Sequence, residues 1–410
     1  MKLLIAHNRY RSPGGEDVVF SREGALLRSA GHEVVEYVRQ NMEMPNDGIL
    51  KNMKTGIRTL WAWDTARELR SILRKERPQL VHFHNTFPLI SPAAYYTCKE
   101  EGAAVVQSLH NHRLVCPATT HYREGKVCED CLGRSIPWPA VVHGCYHNSR
   151  PQTAVVAGMI SVHRLLETWH EQVDAYIAFT QFSCQKFIAA GLPAKKIFLK
   201  PHFLNDDPGI RREPGDYALF LGRLVPEKGI RTLLKAWQRL KHIPLTIAGD
   251  GPLQNEVREF QRENPSVTVF SHLPQQKCLE LMKGARFLIW PSEGYLETFG
   301  LVAIEAFACG LPVIASCSGA MPELVEDRKT GLLFETGNPD DLAAKTEWAW
   351  TYPQEMEMVG RAARAQYLSK YTAELNYDTL MRIYDTAIRG SAFQEARSAA
   401  LSTSMQRNQV

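Results

Sequence analysis

The sequence lacks any apolar run approaching the roughly 20 residues that a membrane-crossing helix needs, so no such helix is expected. It lacks a strong charge of either sign. Its 48 Lys and Arg against 44 Asp and Glu leave +4, too mild to predict nucleic acid as a partner. It also lacks an orderly cysteine pattern. The nine cysteines are an odd number and scattered outside one cluster, which argues against a secreted disulfide framework. The opening MKLLIAHNRY turns polar too soon for a signal peptide, and Lys2 to Ala6 reads as a buried strand. A cytoplasmic protein is expected, associated at most with the inner face of the membrane. The 410 residues, 44% hydrophobic and 22% charged, exceed one ordinary core and predict two domains.

The most informative stretch runs from Ala285 to Ser316. Ala285 to Trp290 is an apolar run of strand length, broken by Pro291 and Ser292. A polar loop, Glu293 to Thr298, precedes helical periodicity from Phe299 to Cys309, which ends at Gly310-Leu311-Pro312. Val313 to Ser316 is the next strand. A strand, loop, helix and strand in this order form a parallel unit whose loop lies where α/β sheets bind ligands. Glu297 and Glu305 stand eight positions apart across the helix start, able to accept hydroxyls. The free amides of Phe299, Gly300 and Leu301 between them suit phosphate. Either Glu alone would normally be a solvated surface residue. Together with the amides they match a nucleotide-sugar, which presents a diphosphate, ribose hydroxyls and sugar hydroxyls.

A second phosphate-binding pattern follows the first strand of the second half. Tyr217 to Leu221 is that strand, and Arg223 and Lys228 lie in the loop to the next helix, Ile230 to Leu240. Two cations at a strand-to-helix turn can hold a diphosphate as it leaves. Loop charges facing solvent would give the same spacing. Near the start, Gly14 and Gly15 precede a helix from Glu16 to Ala30, and leave room for phosphate or sugar or make only a turn.

The Glu-x7-Glu spacing and the Gly-Arg-x4-Lys-Gly loop resemble the donor site of retaining glycosyltransferases of family four, with the GT-B fold of two Rossmann-like domains facing across a cleft. The resemblance covers about residues 1 to 390. It implies that Glu305 binds the donor ribose and that Glu297 positions the transferred sugar, with Thr298 beside it. It implies that Arg223 and Lys228 neutralise the diphosphate, and that Gly14 and Gly15 lie against the donor. It also implies that His110, at the end of the strand Ala104 to Leu109, contacts the sugar near the reacting carbon. The family more often has Asp where Asn111 stands. No Asp-x-Asp triplet occurs, so a metal-held diphosphate is not supported and no catalytic cofactor is expected. The expected function is transfer of a sugar from a nucleoside diphosphate sugar to a saccharide or lipid-linked saccharide hydroxyl, in polysaccharide assembly. A GT-B epimerase or hydrolase and a non-catalytic scaffold are the alternatives.

The domain expectation is a first domain over 1–204, a linker over 205–216 and a donor domain over 217–370. A helix over 371–390 crosses back to the first domain, and a loose tail follows over 391–410. Residues 113–150 interrupt the α/β rhythm. Cys116, Cys128, Cys131 and Cys145 there either bind a structural zinc, remain free thiols in a lid, or include a redox-sensitive pair. Residues 51–77 carry eight basic residues (Lys51, Lys54, Arg58, Arg67, Arg70, Arg74, Lys75, Arg77) against three acidic ones (Asp64, Glu68, Glu76), with Trp61 and Trp63 among them. Such a helix lies on an anionic membrane surface or simply packs on the sheet.

Overall fold

Two parallel sheets organise the chain, one in each lobe. A computed structural model describes residues 1–11, 14–44, 49–295 and 297–407, with the backbone alone at 49–54 and 393–407. The first lobe contains β1 (Lys2–Arg9), β2 (Glu33–Gln40), β3 (Leu80–Asn85), β4 (Ala104–Ser108), the short hairpin of β5 (Tyr122–Arg123) and β6 (Lys126–Val127), β7 (Ala175–Ala178) and β8 (Ile197–Leu199). The second contains β9 (Ala218–Leu221), β10 (Leu245–Ala248), β11 (Val267–Phe270), β12 (Phe287–Trp290), β13 (Val313–Ser316) and β14 (Gly331–Phe334).

The sheet orders are β2-β1-β3-β4-β7-β8 and β11-β10-β9-β12-β13-β14. In both, the winding direction reverses beside the first strand, which opens a crevice at the carboxyl ends of the strands. Buried on both faces, β12 reads FLIW without alternation, as a central parallel strand should. By contrast β3 reads LVHFHN and is buried throughout, so its two histidines and one asparagine need internal partners. Separate apolar clusters fill the outer side of each lobe. A third runs between them, joining Leu3, Phe20 and Phe179 to Trp290, Phe299, Ile304 and Tyr384.

The last helix, Ala373–Arg407, packs against β4, β7 and the helix Gly15–Ser29 of the first lobe. The segment expected to be loose from Ser391 is therefore helical as far as Arg407, and 408–410 lie outside the described residues. The expected single helix over 51–77 is two, Ile49–Leu60 and Trp63–Glu76. Ala62 between them is fully buried, and its amide donates to Ser91 Oγ at 2.9 Å instead of continuing a helix. Trp61 stacks on His163, with centroids 5.8 Å apart, while Trp63 stays 61% exposed. The side chains of Lys51 and Lys54 lie outside the described residues. Among the described residues no helix is long and apolar enough to cross a membrane.

Candidate active site

Lys228 ends a short turn after β9, and its ammonium pairs with the Glu297 carboxylate, which also accepts from Ser292 Oγ at 3.3 Å. Burial alone would raise the Glu297 pKa, but Lys228 outweighs it and holds the carboxyl below its usual range. Gly300 sits at φ 115°, and a Cβ there would lie 2.3 Å from the Trp290 ring. This glycine is needed by the fold itself, whatever the ligand. It opens the helix Leu301–Ala308, and the amides of Phe299, Gly300 and Leu301 find no acceptor among the described residues. Glu305, one turn in, accepts from Gln275 Nε2 and from Arg22 Nη2 of the first lobe, both at 2.9 Å. Arg223 is exposed at the end of β9 and makes no ion pair with any described residue.

Three of these positions touch the first lobe directly. Thr298 Oγ1 donates to the His110 carbonyl at 2.9 Å, and the Thr298 carbonyl accepts from Thr180 Oγ1 at 3.1 Å and Ser183 Oγ at 3.2 Å. Arg22 reaches Glu305, and a Cβ on Gly15 would meet Leu301 at an ordinary 3.5 Å. Gly14 is in extended backbone that any residue adopts, and a Cβ there would crowd nothing beyond its own turn. The protein thus makes no demand for glycine at 14 or 15, consistent with room kept for a ligand. Further out, Glu323 accepts from the amides of Gln181 and Phe182, opening the helix Gln181–Ala189. Tyr122 of the hairpin donates to Glu293 at 2.8 Å, while Glu293 also accepts from Thr232 at 2.5 Å. The cleft is closed, with the two lobes joined at the loop that carries Glu297.

On the first-lobe side His110 lies against His84 and His202, with Nε2 3.0 Å from His84 Nδ1. Burial, reinforced by His202 and other nearby cation-forming groups, keeps its pKa well below the usual imidazole value. Beside it a small cavity of about 30 Å³ is lined by His84, Asn85, Gln107, His110, Asn111 and Arg113, among others. Arg113 stacks over Phe87 at 4.3 Å. Asn111 donates to Glu16 at 3.2 Å, and Asn85 does so at 3.3 Å. Burial, and then the charge of Asp17, raise the Glu16 pKa to about 8. Asn111, where the family pattern has Asp, therefore meets a carboxyl that a second carboxylate would repel.

The residues predicted from the sequence are thus brought together: Glu297, Glu305, Lys228, Thr298 and the helix amides on one side, His110 and Gly15 on the other. Sequence reasoning missed Arg22, Thr180, Ser183 and Glu16. Only Glu16, directly after Gly14-Gly15, carried a local signal.

All four cysteines of the 113–150 segment are free. Burial raises the Cys131 and Cys145 thiols, and their neighbours among the four add to it, so the thiols gather in one region. No three of their sulfurs lie within 4.8 Å of one another. The one His/Cys/Asp/Glu group among the described residues that meets this distance is Glu23, His82 and His84. Lys200 Nζ, 3.5 Å from Glu23, already supplies a compensating cation there.

Residues 205–366 match the family model for glycosyl transferases group 1, and residues 13–129 that for glycosyltransferase family 4. The uncharacterized glycosyltransferase MJ1178 of Methanocaldococcus jannaschii is 36% identical over 137 residues, 32% of this chain and 38% of that protein. The sulfoquinovosyl transferase SQD2 of Arabidopsis thaliana is 28% identical over 173 residues, 40% of this chain and 33% of that protein. The match thus spans well under half the length of these relatives. Among solved structures, Anabaena Alr3699/HepE in complex with UDP has a TM-score of 0.68 at 16% identity, covering 94% of this chain and all of that one. The sucrose-phosphate synthase of Thermosynechococcus elongatus has a TM-score of 0.63 at 18% identity, covering 97% of this chain and 99% of that one. The architecture is GT-B.

Proposed function

We propose that this chain, with its GT-B lobes bearing a family 4 region and a group 1 region, is a retaining glycosyltransferase. It moves a sugar from a nucleoside diphosphate sugar to a hydroxyl of a saccharide or lipid-linked saccharide, in the assembly of a cell-surface polysaccharide. The observation that carries this reading is the meeting, in one closed cleft, of Glu297 paired with Lys228, Glu305 at a helix start with open amides, and His110 opposite. The UDP bound in the HepE structure supports a nucleotide donor.

In this reading ribose hydroxyls donate to Glu305 in place of Arg22 and Gln275. The diphosphate lies against the amides of Phe299 to Leu301, with Lys228 and Arg223 beside it. The acceptor oxygen bonds to the anomeric carbon on the face from which the phosphate oxygen leaves, and its proton passes to that oxygen. Lys228, Arg223 and the amides take up the charge that develops there, where pre-oriented donors act most strongly. Glu297, kept ionised by Lys228, holds sugar hydroxyls. His110 faces the reacting carbon. No divalent ion is required. Lobe closure through Thr298 excludes water, which would otherwise hydrolyse the donor.

The test is a screen of nucleoside diphosphate sugars with lipid-linked and free saccharide acceptors, run in chelator and read as nucleoside diphosphate release. Release only with acceptor supports transfer. Release without any acceptor points to a hydrolase, and a dependence on magnesium or manganese overturns the metal-free account.

Two further assignments accompany this one. Cys116, Cys128, Cys131 and Cys145 are the candidate ligands of a structural zinc, which would have to draw together sulfurs of which no three lie within 4.8 Å of one another here. Less than about a tenth of an equivalent of zinc in purified protein would end that idea. The two-helix segment with exposed Ile57, Trp63 and Arg67 rests on an anionic membrane on the cytoplasmic side. Co-sedimentation with phosphatidylglycerol vesicles, lost in Trp63→Ala, is the expected result.

A further inference from the structure

The rings of His110 and His84 meet edge to edge. Their planes differ by 18°, their centroids are 5.2 Å apart, and His110 Nε2 lies 3.0 Å from His84 Nδ1. A neutral imidazole has one N–H and one lone pair. Burial, with the neighbouring histidines adding to it, keeps both rings neutral. A single proton therefore lies between the two nitrogens, and the tautomers of the rings are locked together. Either His110 donates from Nε2, leaving Nδ1 as an acceptor and the His84 proton on Nε2, or His84 donates from Nδ1 and the His110 proton sits on Nδ1.

The choice is made on the far side of His84. Its Nε2 is buried and has no hydrogen-bond partner among the described residues. Glu23, fully buried, has two carboxylate oxygens in the same condition, and it lies within 4.8 Å of a ring nitrogen of His84. His82, the other ring within that distance, is already committed: Nδ1 to Tyr384 at 2.7 Å and Nε2 to Ser108 at 2.9 Å. Burial raises the Glu23 pKa on balance, and Lys200, 3.5 Å away, opposes it. With its unpartnered oxygens and Lys200 as a counter-charge, that carboxyl favours a proton on the unpartnered His84 Nε2 over a bare lone pair there.

We propose that Glu23, acting through His84, is a positioning group that fixes His110 as the Nε2–H tautomer, so that His110 Nδ1 offers a lone pair to a sugar hydroxyl in the cleft. The final clause rests on the glycosyltransferase reading; the tautomer does not.

Two-bond nitrogen-15 correlation spectra of histidine-labelled, ligand-free protein report which ring nitrogen carries the proton. Nε2–H is expected at both His110 and His84. In Glu23→Gln the amide donates toward His84 Nε2, so both tautomers reverse, and kcat falls about 10- to 100-fold with donor KM nearly unchanged. If Glu23→Gln folds poorly, two His84 variants separate positioning from packing. The carbonyl in His84→Asn still accepts from His110, so that variant retains at least about tenfold more activity than His84→Leu. Nδ1–H at His110 in the wild type overturns the proposal, as does a Glu23→Gln variant with unchanged tautomers. Nε2–H at His110 with no sugar transfer from any donor would uphold the positioning and sink the enzymatic reading.

Discussion

In the second lobe the cleft is built from charged side chains drawn largely from two stretches, 222–229 and 290–305, with Lys228 paired to Glu297 and Glu305 to Arg22 of the first lobe. In the first lobe it is built from neutral rings and amides drawn from at least four separated strands and helices: His84 and Asn85 end β3, His110 and Asn111 follow β4, Glu16 begins the first helix, and His202 follows β8. The difference fits what each side would meet in the proposed reaction. A diphosphate brings charge and needs cations and aligned amides. Uncharged hydroxyls need donors and acceptors of fixed orientation, and a buried neutral network supplies orientation without the desolvation cost of ions.

The contrast breaks first at Lys228. Lys228→Ala should lower kcat about 1,000-fold, because it removes the proposed diphosphate cation and leaves Glu297 without its partner. A loss under about tenfold would mean that the second lobe does not depend on paired charge. Next, Glu305→Ala should weaken nucleoside diphosphate binding about 30- to 100-fold by calorimetry. Thr298→Val removes the hydroxyl that ties the donor loop to the His110 carbonyl. About a tenfold fall in kcat is expected, with a larger radius of gyration by X-ray scattering as the lobes part.

Glu16 gives a test by pH. An acid whose pKa rises from near 4.5 to about 8 on folding holds a proton that the unfolded chain has lost. Its contribution to stability is therefore whole below about pH 4.5 and declines as pH rises to 8. Glu16→Gln should match the wild type in melting temperature near pH 5 and exceed it increasingly toward pH 8. A constant difference would remove Glu16 from the buried network. Smallest of all, Tyr122→Phe breaks one bond to Glu293 and should change kcat about threefold or less.

The same contrast explains what could be read in advance. The Glu297 and Glu305 loop, the Arg223 and Lys228 loop and most strands were legible, because each depends on residues close in sequence and on apolar periodicity. His110 was placed through a family resemblance and its position at a strand end. Arg22 and Thr180 were not legible. One is an arginine in mid-helix and the other a threonine capping a helix, and only their packing across the cleft sets them against Glu305 and Thr298. The break at Ala62 was hidden for the same reason, since it depends on Ser91, far along the chain. The thiol segment has too little regular structure for periodicity to speak.

The closing helix from Ala373 covers strands made several hundred residues earlier, and its Tyr384 and Asn376 supply partners to His82 and Lys200. During synthesis at roughly 5–20 residues per second, the first half of the polypeptide must therefore wait tens of seconds on the ribosome before those groups are satisfied. The lobe synthesised first is the one whose packing is completed last along the chain. A release of the chain before Ala373 would leave the older half, not the younger, exposed to chaperones and proteases.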